Sequence, residues 1–199
     1  MKSLYRVIDT LSLAAMRLGG ALILLSALMV TTDVVLRQLG GKSIAGLDEV
    51  SGYFFAIATA AAFSAGLIRR FNVRIEGVYR FVPRPVRVAL DFLAIVALVG
   101  YLGIVVWVAS DLVMSSYTNW SRSISPLQTP LFIPQIVWIS FLGLAVVAGL
   151  CLIGISVSAL LAKDWTTLQA LIGPLSCDEE IEIEIESIAS DSAAGKAER

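Results

Sequence analysis

The chain has 199 residues, 57% of them hydrophobic, with 15 basic and 16 acidic side chains, a formal net charge of −1 and no histidine. That much apolar surface leaves no room for a separate soluble domain and predicts one integral membrane domain with a polar tail. The missing imidazole excludes a haem-carrying cytochrome b subunit, zinc hydrolases and intramembrane metalloproteases.

Residues 1–17 form a cytoplasmic amphipathic flank. Leu4, Val7, Ile8, Leu11 and Ala15 keep helical spacing beside Lys2, Arg6 and Asp9, which predicts an interfacial or a long tilted helix. The first span, 18–36, approaches the roughly 20 residues that a helix rising 1.5 Å per residue needs to cross a hydrocarbon core. It is too long for a signal-peptide core and no small-x-small cleavage site follows, so it is expected to be its own insertion signal. Asp33 lies about 24 Å along the helix from Arg17, near the outer interface and away from the midplane. Arg37 follows four residues later on the same face, predicting an i,i+4 pair with the arginine reaching outward.

Asp48 and Glu49 open the second span, 50–68. Along it Ala58, Ala62 and Gly66, with Ala61 and Ala65 beside them, make a small-residue stripe that lets another helix backbone come close. Six arginines, Arg69, Arg70, Arg74, Arg80, Arg84 and Arg87, crowd the segment that follows. Residues 73–88 mix them with Ile75, Val78, Tyr79, Phe81 and Val82, a pattern suited to the membrane surface and its anionic lipid headgroups. Pro83 and Pro85 punctuate that segment, and a helix can start behind them.

The third span is 88–112, with Arg87 and Asp91 repeating the i,i+4 spacing at its start. Residues 123–138, crowded with proline and bulky apolar side chains, predict short broken turns on the membrane surface. The fourth span is 136–161, where Gly154, Ser158 and Ala162 form a second small-residue pattern. Trp107, Trp120 and Trp138 are expected to be interfacial anchors. Residues 18–162 are thus a four-helix membrane domain, and 163–199 a cytoplasmic tail. Its stretch CDEEIEIEIESIAS is too charged to bury itself and is expected to be disordered.

Orientation follows from basic residues. With the amino terminus inside, the inner side holds Lys2, Arg6, Arg17, the arginine-rich segment and Lys163, whereas the outer loops hold Arg37, Lys42 and Arg122. An even number of spans then puts both termini in the cytoplasm. Cys151 in the fourth span and Cys177 in the tail are expected to be free thiols. The fold class is therefore an all-α integral membrane protein: four transmembrane helices, amphipathic interfacial helices and a disordered acidic C-terminal tail. No nucleophile elbow, phosphate-cradling glycine loop or metal-ligand cluster is visible, so neither catalysis nor a cofactor is expected, nor is a nucleic-acid partner.

The order of these features resembles the small membrane (Q-type) subunit of tripartite ATP-independent periplasmic transporters. The resemblance rests on Ser125-Pro126-Leu127, on Ile133-Pro134 followed by Trp138 at the entry to the last helix, on Arg37 after the first span, on Asp48-Glu49, and on Asn72 to Ile75. It covers nearly all of residues 1–162. Two positions depart from the pattern: Leu47, where tryptophan is frequent, and Asn72, where histidine is. The resemblance implies a noncatalytic subunit of the bacterial inner membrane. It would brace a large (M-type) subunit that moves the substrate, while a periplasmic substrate-binding protein delivers an organic acid and sodium drives uptake. Arg37, Lys42, Asp48, Glu49 and Arg122 face outward in this reading and are candidate contacts for the binding protein, with membrane lipid around the helices. The alternative class is a small self-contained dimeric proton-coupled exporter, which needs a carboxylate near the midplane of the first span; Asp33, its candidate, lies too far out by the helical rise.

Overall fold

The computed structural model describes residues 2–41, 44–69, 83–161 and residue 185. Lys42, Asn72, most of the arginine-rich segment, Cys177 and the rest of the tail lie outside the described residues. Four helices make up the described chain: α1 (Lys2–Gly40), α2 (Leu47–Ile68), α3 (Arg84–Thr118) and α4 (Phe132–Leu161). All four are long and apolar enough to cross a membrane.

Local chemistry sets their ends. The α1 helix stops at Gly40, and Gly41 takes a left-handed φ of 61° while its N–H reaches the Arg37 carbonyl, an ending that glycine adopts without a Cβ penalty. Pro83 precedes α3, and its carbonyl accepts from the Val86 and Arg87 N–H groups. The α4 helix carries Pro134 in its first turn, where a missing N–H is no loss. The amphipathic flank and the first span are one continuous helix, because nothing between Lys2 and Arg17 breaks it. At about 58 Å by helical rise, α1 is longer than the roughly 30 Å hydrocarbon core.

Packing runs α1–α2–α4–α3, with a thinner contact between α1 and α4. The α1–α2 seam is built from small and polar residues. Ser12, Ala15, Gly19 and Ser26 are buried on α1, spaced three, four and seven residues apart along one face. Val7, Leu11, Leu18, Leu24 and Leu28 point away and are exposed. A Cβ on Gly19 would lie 2.9 Å from the Ala58 carbonyl oxygen and 3.4 Å from its Cα, so the two backbones nearly touch there. Ser26 donates to the Ser51 carbonyl at 3.2 Å higher up the same seam. This inverts the rule for soluble helices: lipid accepts large aliphatic groups, and close backbone approach rewards small ones.

The larger apolar core joins all four helices toward the end where α1 begins and α4 ends. Ile8, Leu67, Ile68, Val88, Ile95, Val99, Leu102, Ala145, Ala148 and Leu152 form it. Gly149 admits Val99, whose Cγ2 would lie 2.3 Å from an added Cβ. Asp91 is buried at this end, and both it and Arg87 are engaged with partners.

Candidate functional site

Polar chemistry concentrates at the opposite end, where residues 44–46 ahead of α2 meet the loop 119–131 between α3 and α4. Asp33 is the anchor of the first. Its side chain is buried; Oδ2 accepts from Arg37 Nη2 at 2.6 Å and Oδ1 accepts from the Ile44 N–H at 2.8 Å. The i,i+4 pair expected from the sequence is therefore present, and the carboxylate also ties the loop that follows α1. Asp33→Leu is expected to lower stability by about 1–3 kcal/mol, because the Ile44 N–H and the Arg37 guanidinium both lose their acceptor. Asp33→Asn, which keeps an acceptor, should lose less than half as much; thermal melting in detergent reads both, and equal losses would contradict this account.

The second loop is folded, not merely draped. Arg122 and Pro130 form an isolated antiparallel bridge, Ser123 N–H donates to the Thr129 carbonyl at 3.0 Å, and Leu131 N–H to the Ser121 carbonyl at 3.0 Å. Trp120 and Gln128 bracket it with φ of 48° and 46°, uncommon for non-glycine residues. Tyr117 and Trp120 each set an edge against the Phe132 ring, at 5.5 and 5.9 Å between centroids. Ile124 stands fully exposed at the tip.

Glu49, in the first turn of α2, fastens the second loop to that helix. Its Oε2 accepts from Ser125 Oγ and its Oε1 from the Tyr53 hydroxyl at 2.5 Å, while the Leu127 N–H donates to the same Ser125 Oγ at 3.2 Å. Beside this clamp Leu127 lies over Gly46, whose φ of 84° and lack of a Cβ make room for it: an added Cβ would sit 2.2 Å from Leu127 Cδ1. The loop is thus fastened through one carboxylate and one glycine.

The candidate contact residues fall into two groups. Asp48, Arg37 and Arg122 are exposed at this end, with Arg37 held by Asp33. Glu49 is half-buried and its carboxylate is committed inside the chain. Of the small-residue stripe, Ala58 is buried against α1, Gly66 is half-buried and Ala62 is exposed; Ala61 and Ala65 are the neighbours that are buried. Gly154 is exposed and Ser158 half-buried, with Ala162 outside the described residues. Trp107 and Trp120 point outward, and Trp138 lines a shallow apolar cleft between α2 and α4 with Tyr53 and Ile57. Asp111 escaped the sequence reading: it is an acid inside α3, exposed on the side away from α4. The signal was a single charge within an apolar run, four residues after Trp107.

Among the described residues no group of three or more potential metal ligands comes together. Four apolar helices with a polar, tied loop end make this a multi-pass membrane protein. The family model for tripartite ATP-independent periplasmic transporters, DctQ component, matches residues 26–157, and the chain belongs to that family. It is the small subunit of such a transporter and not an enzyme. No curated protein and no solved structure matches the chain.

Proposed function

We propose that this chain braces the large membrane subunit of a sodium-driven uptake system for an organic acid, in the bacterial inner membrane, with both termini cytoplasmic and the Glu49 loop end periplasmic. The observation that carries this reading is family membership across residues 26–157. Beside it stands the use made of the polar side chains at the loop end. Asp33, Glu49, Tyr53 and Ser125 hold the chain's own loops together, as a static support requires. A substrate-binding protein docking from the periplasm would meet Arg37, Asp48 and Arg122, where rim charges act on encounter rate more than on lifetime. Lys42 and the tail belong to the same reading, the first as a further outward charge and the second as a cytoplasmic extension.

The exporter alternative loses its candidate, since both Asp33 oxygens are occupied by groups of this chain. Affinity capture of the tagged chain from its native membrane in mild detergent tests the proposal. The expected result is stoichiometric recovery of one much larger multispan protein, and no solute flux by the chain alone in vesicles. Recovery of the chain by itself, with autonomous flux, would overturn it.

A further inference from the structure

Three contacts fix the register of α1 against α2. The Ile44 N–H donates to Asp33 Oδ1, Ser26 Oγ donates to the Ser51 carbonyl, and Gly19 lies against the Ala58 backbone. Each step of seven residues down α1 is matched by seven along α2, so Arg17, just beyond Gly19, stands level with Ala60. Glu49 and Arg69 are the charged limits of the apolar run of α2, which at 1.5 Å per residue has the length of a hydrocarbon core. Arg17 therefore lies beside the middle of that run, about 14 Å by helical rise from the Arg69 layer and farther than its side chain reaches. Run length alone puts Arg17 at the inner boundary of the first span. The register puts it inside the bilayer, because α2 faces residues 9–30 of α1 and not 18–36. Exposed side chains agree: Leu11 on α1, Leu93 on α3, and Leu150 and Val157 on α4 all lie inward of that level and need hydrocarbon around them.

Arg17 is exposed there, and among the described residues it has neither an ion pair nor a hydrogen-bond partner. Its guanidinium stays charged at any working pH. The exposed residues around it, Ala14, Leu18, Gly20, Ala21 and Leu24, offer no polar group, and the small ones let another backbone come close. Neither α2 inward of Glu49 nor α4 carries an acid, so the helices beside α1 cannot supply a counter-charge. A cation at this depth is unfavourable against lipid tails, and the inner headgroup phosphates are out of reach; what fits is a carboxylate on a further helix. A second copy of this chain is a poor source. A two-fold pairing of α1 with α1 about the membrane normal would set Arg17 against Arg17. Pairing Arg17 with the exposed Asp111 would join opposite edges of the α1–α2–α4–α3 row, a head-to-tail contact that does not close as a dimer.

We infer that the Arg17 face of α1 receives a helix of the large membrane subunit, one that presents an aspartate or glutamate to the guanidinium within the bilayer. The inference rests on the function proposed above and says where the two subunits meet. Its test is the same capture experiment with Arg17→Glu, Arg17→Leu and Arg17→Lys, and with Leu93→Ala on α3 as the control. Because Arg17 is exposed and unpaired, the variants should melt like the parent chain. Arg17→Glu and Arg17→Leu should recover roughly tenfold less large subunit or lower, Arg17→Lys more than either, and Leu93→Ala as much as the parent. Arg17→Leu adds no charge to the bilayer and keeps the test sound should Arg17→Glu insert poorly. Exchanging one intramembrane carboxylate of the recovered subunit for arginine should restore capture by Arg17→Glu. Undiminished recovery with Arg17→Leu would overturn the Arg17 contact alone, as would loss of copurifying anionic lipid in its place. Failure of the parent chain to recover any large subunit would overturn the functional reading and the contact with it. An Arg17→Cys chain that cross-links to a second copy of itself would overturn the assignment in favour of self-association.

Discussion

Gly19→Leu is expected to be the most damaging single substitution in the α1–α2 seam. A Cβ at Gly19 would meet the carbonyl oxygen of Ala58 at 2.9 Å and its Cα at 3.4 Å. These are backbone atoms in the middle of α2, so no side chain can rotate out of the way; the helices themselves must part. Gly19→Ala should already cost about 1–3 kcal/mol, the usual range for overpacking a filled interior. Leucine adds three further carbons to the same gap and should open the seam. Ser26 and Ser51 would then lose the 3.2 Å bond that joins them one stage along. Gly20 supplies an internal control, because nothing lies within 4 Å of a Cβ placed there. Gly20→Leu should therefore melt close to the parent chain. Cross-linking a Ser26→Cys, Ser51→Cys pair with a short dithiol reagent reports the seam directly. Efficient cross-linking in the Gly19→Leu background would contradict the close-approach account.

Glu49→Ala should have the next largest effect, and a more local one. It removes the acceptor for both Ser125 Oγ and the Tyr53 hydroxyl, and with it the clamp between α2 and the 119–131 loop. Hydrogen bonds to a charged acceptor are stronger than those between neutral groups, so losing both should release the loop from α2. Glu49→Gln retains an oxygen acceptor and should lose less; Tyr53→Phe, which leaves the Ser125 bond in place, less again. The helices do not depend on this clamp, so the change should appear as faster proteolysis between Ser123 and Gln128, with little loss of helical signal. A cycle combining Glu49→Gln with Ser125→Ala should show losses that do not add, since the two groups touch. Additive losses, or an unchanged cleavage rate in Glu49→Ala, would mean that the backbone bonds of the loop hold it unaided.

These two sites differ in how far they could be read ahead of the structure. Gly19 sits next to Gly20, and both are glycines in an apolar run; sequence alone gives neither precedence, because selection between them depends on the angle at which α2 approaches. The same holds along α2, where the stripe through Ala58, Ala62 and Gly66 and the neighbouring set Ala58, Ala61 and Ala65 are both plausible helix faces. The second set is buried, while Ala62 is exposed. On the amphipathic flank, periodicity pointed to Val7 and Leu11 with Ile8 and Ala15. Ile8 and Ala15 are buried and Val7 and Leu11 are exposed, since the environment outside the seam also favours apolar groups. Hydrophobicity discriminates inside from outside only when the outside is water.

Glu49 is the clearest case of a residue whose part depended on distant chain. An acid in the first turn of a helix is locally favourable beside the helix dipole, and Asp48 and Glu49 are equivalent in that respect. Only the return of the chain 76 residues later, bringing Ser125 onto Glu49, separates the exposed acid from the committed one.

What the amino-acid sequence determined by itself is the membrane class, the four spans, the Asp33–Arg37 pair and the family, because each rests on run length, local spacing or motif order, which need no knowledge of neighbours. What only the tertiary structure decided is which face of each helix is buried, how the two loops lock through Glu49 and Gly46, and where Asp111 stands. Those depend on contacts between segments far apart in the chain, and in a membrane, where both the interior and the surroundings are apolar, close fit and polar pairing choose the faces that hydrophobicity leaves equivalent.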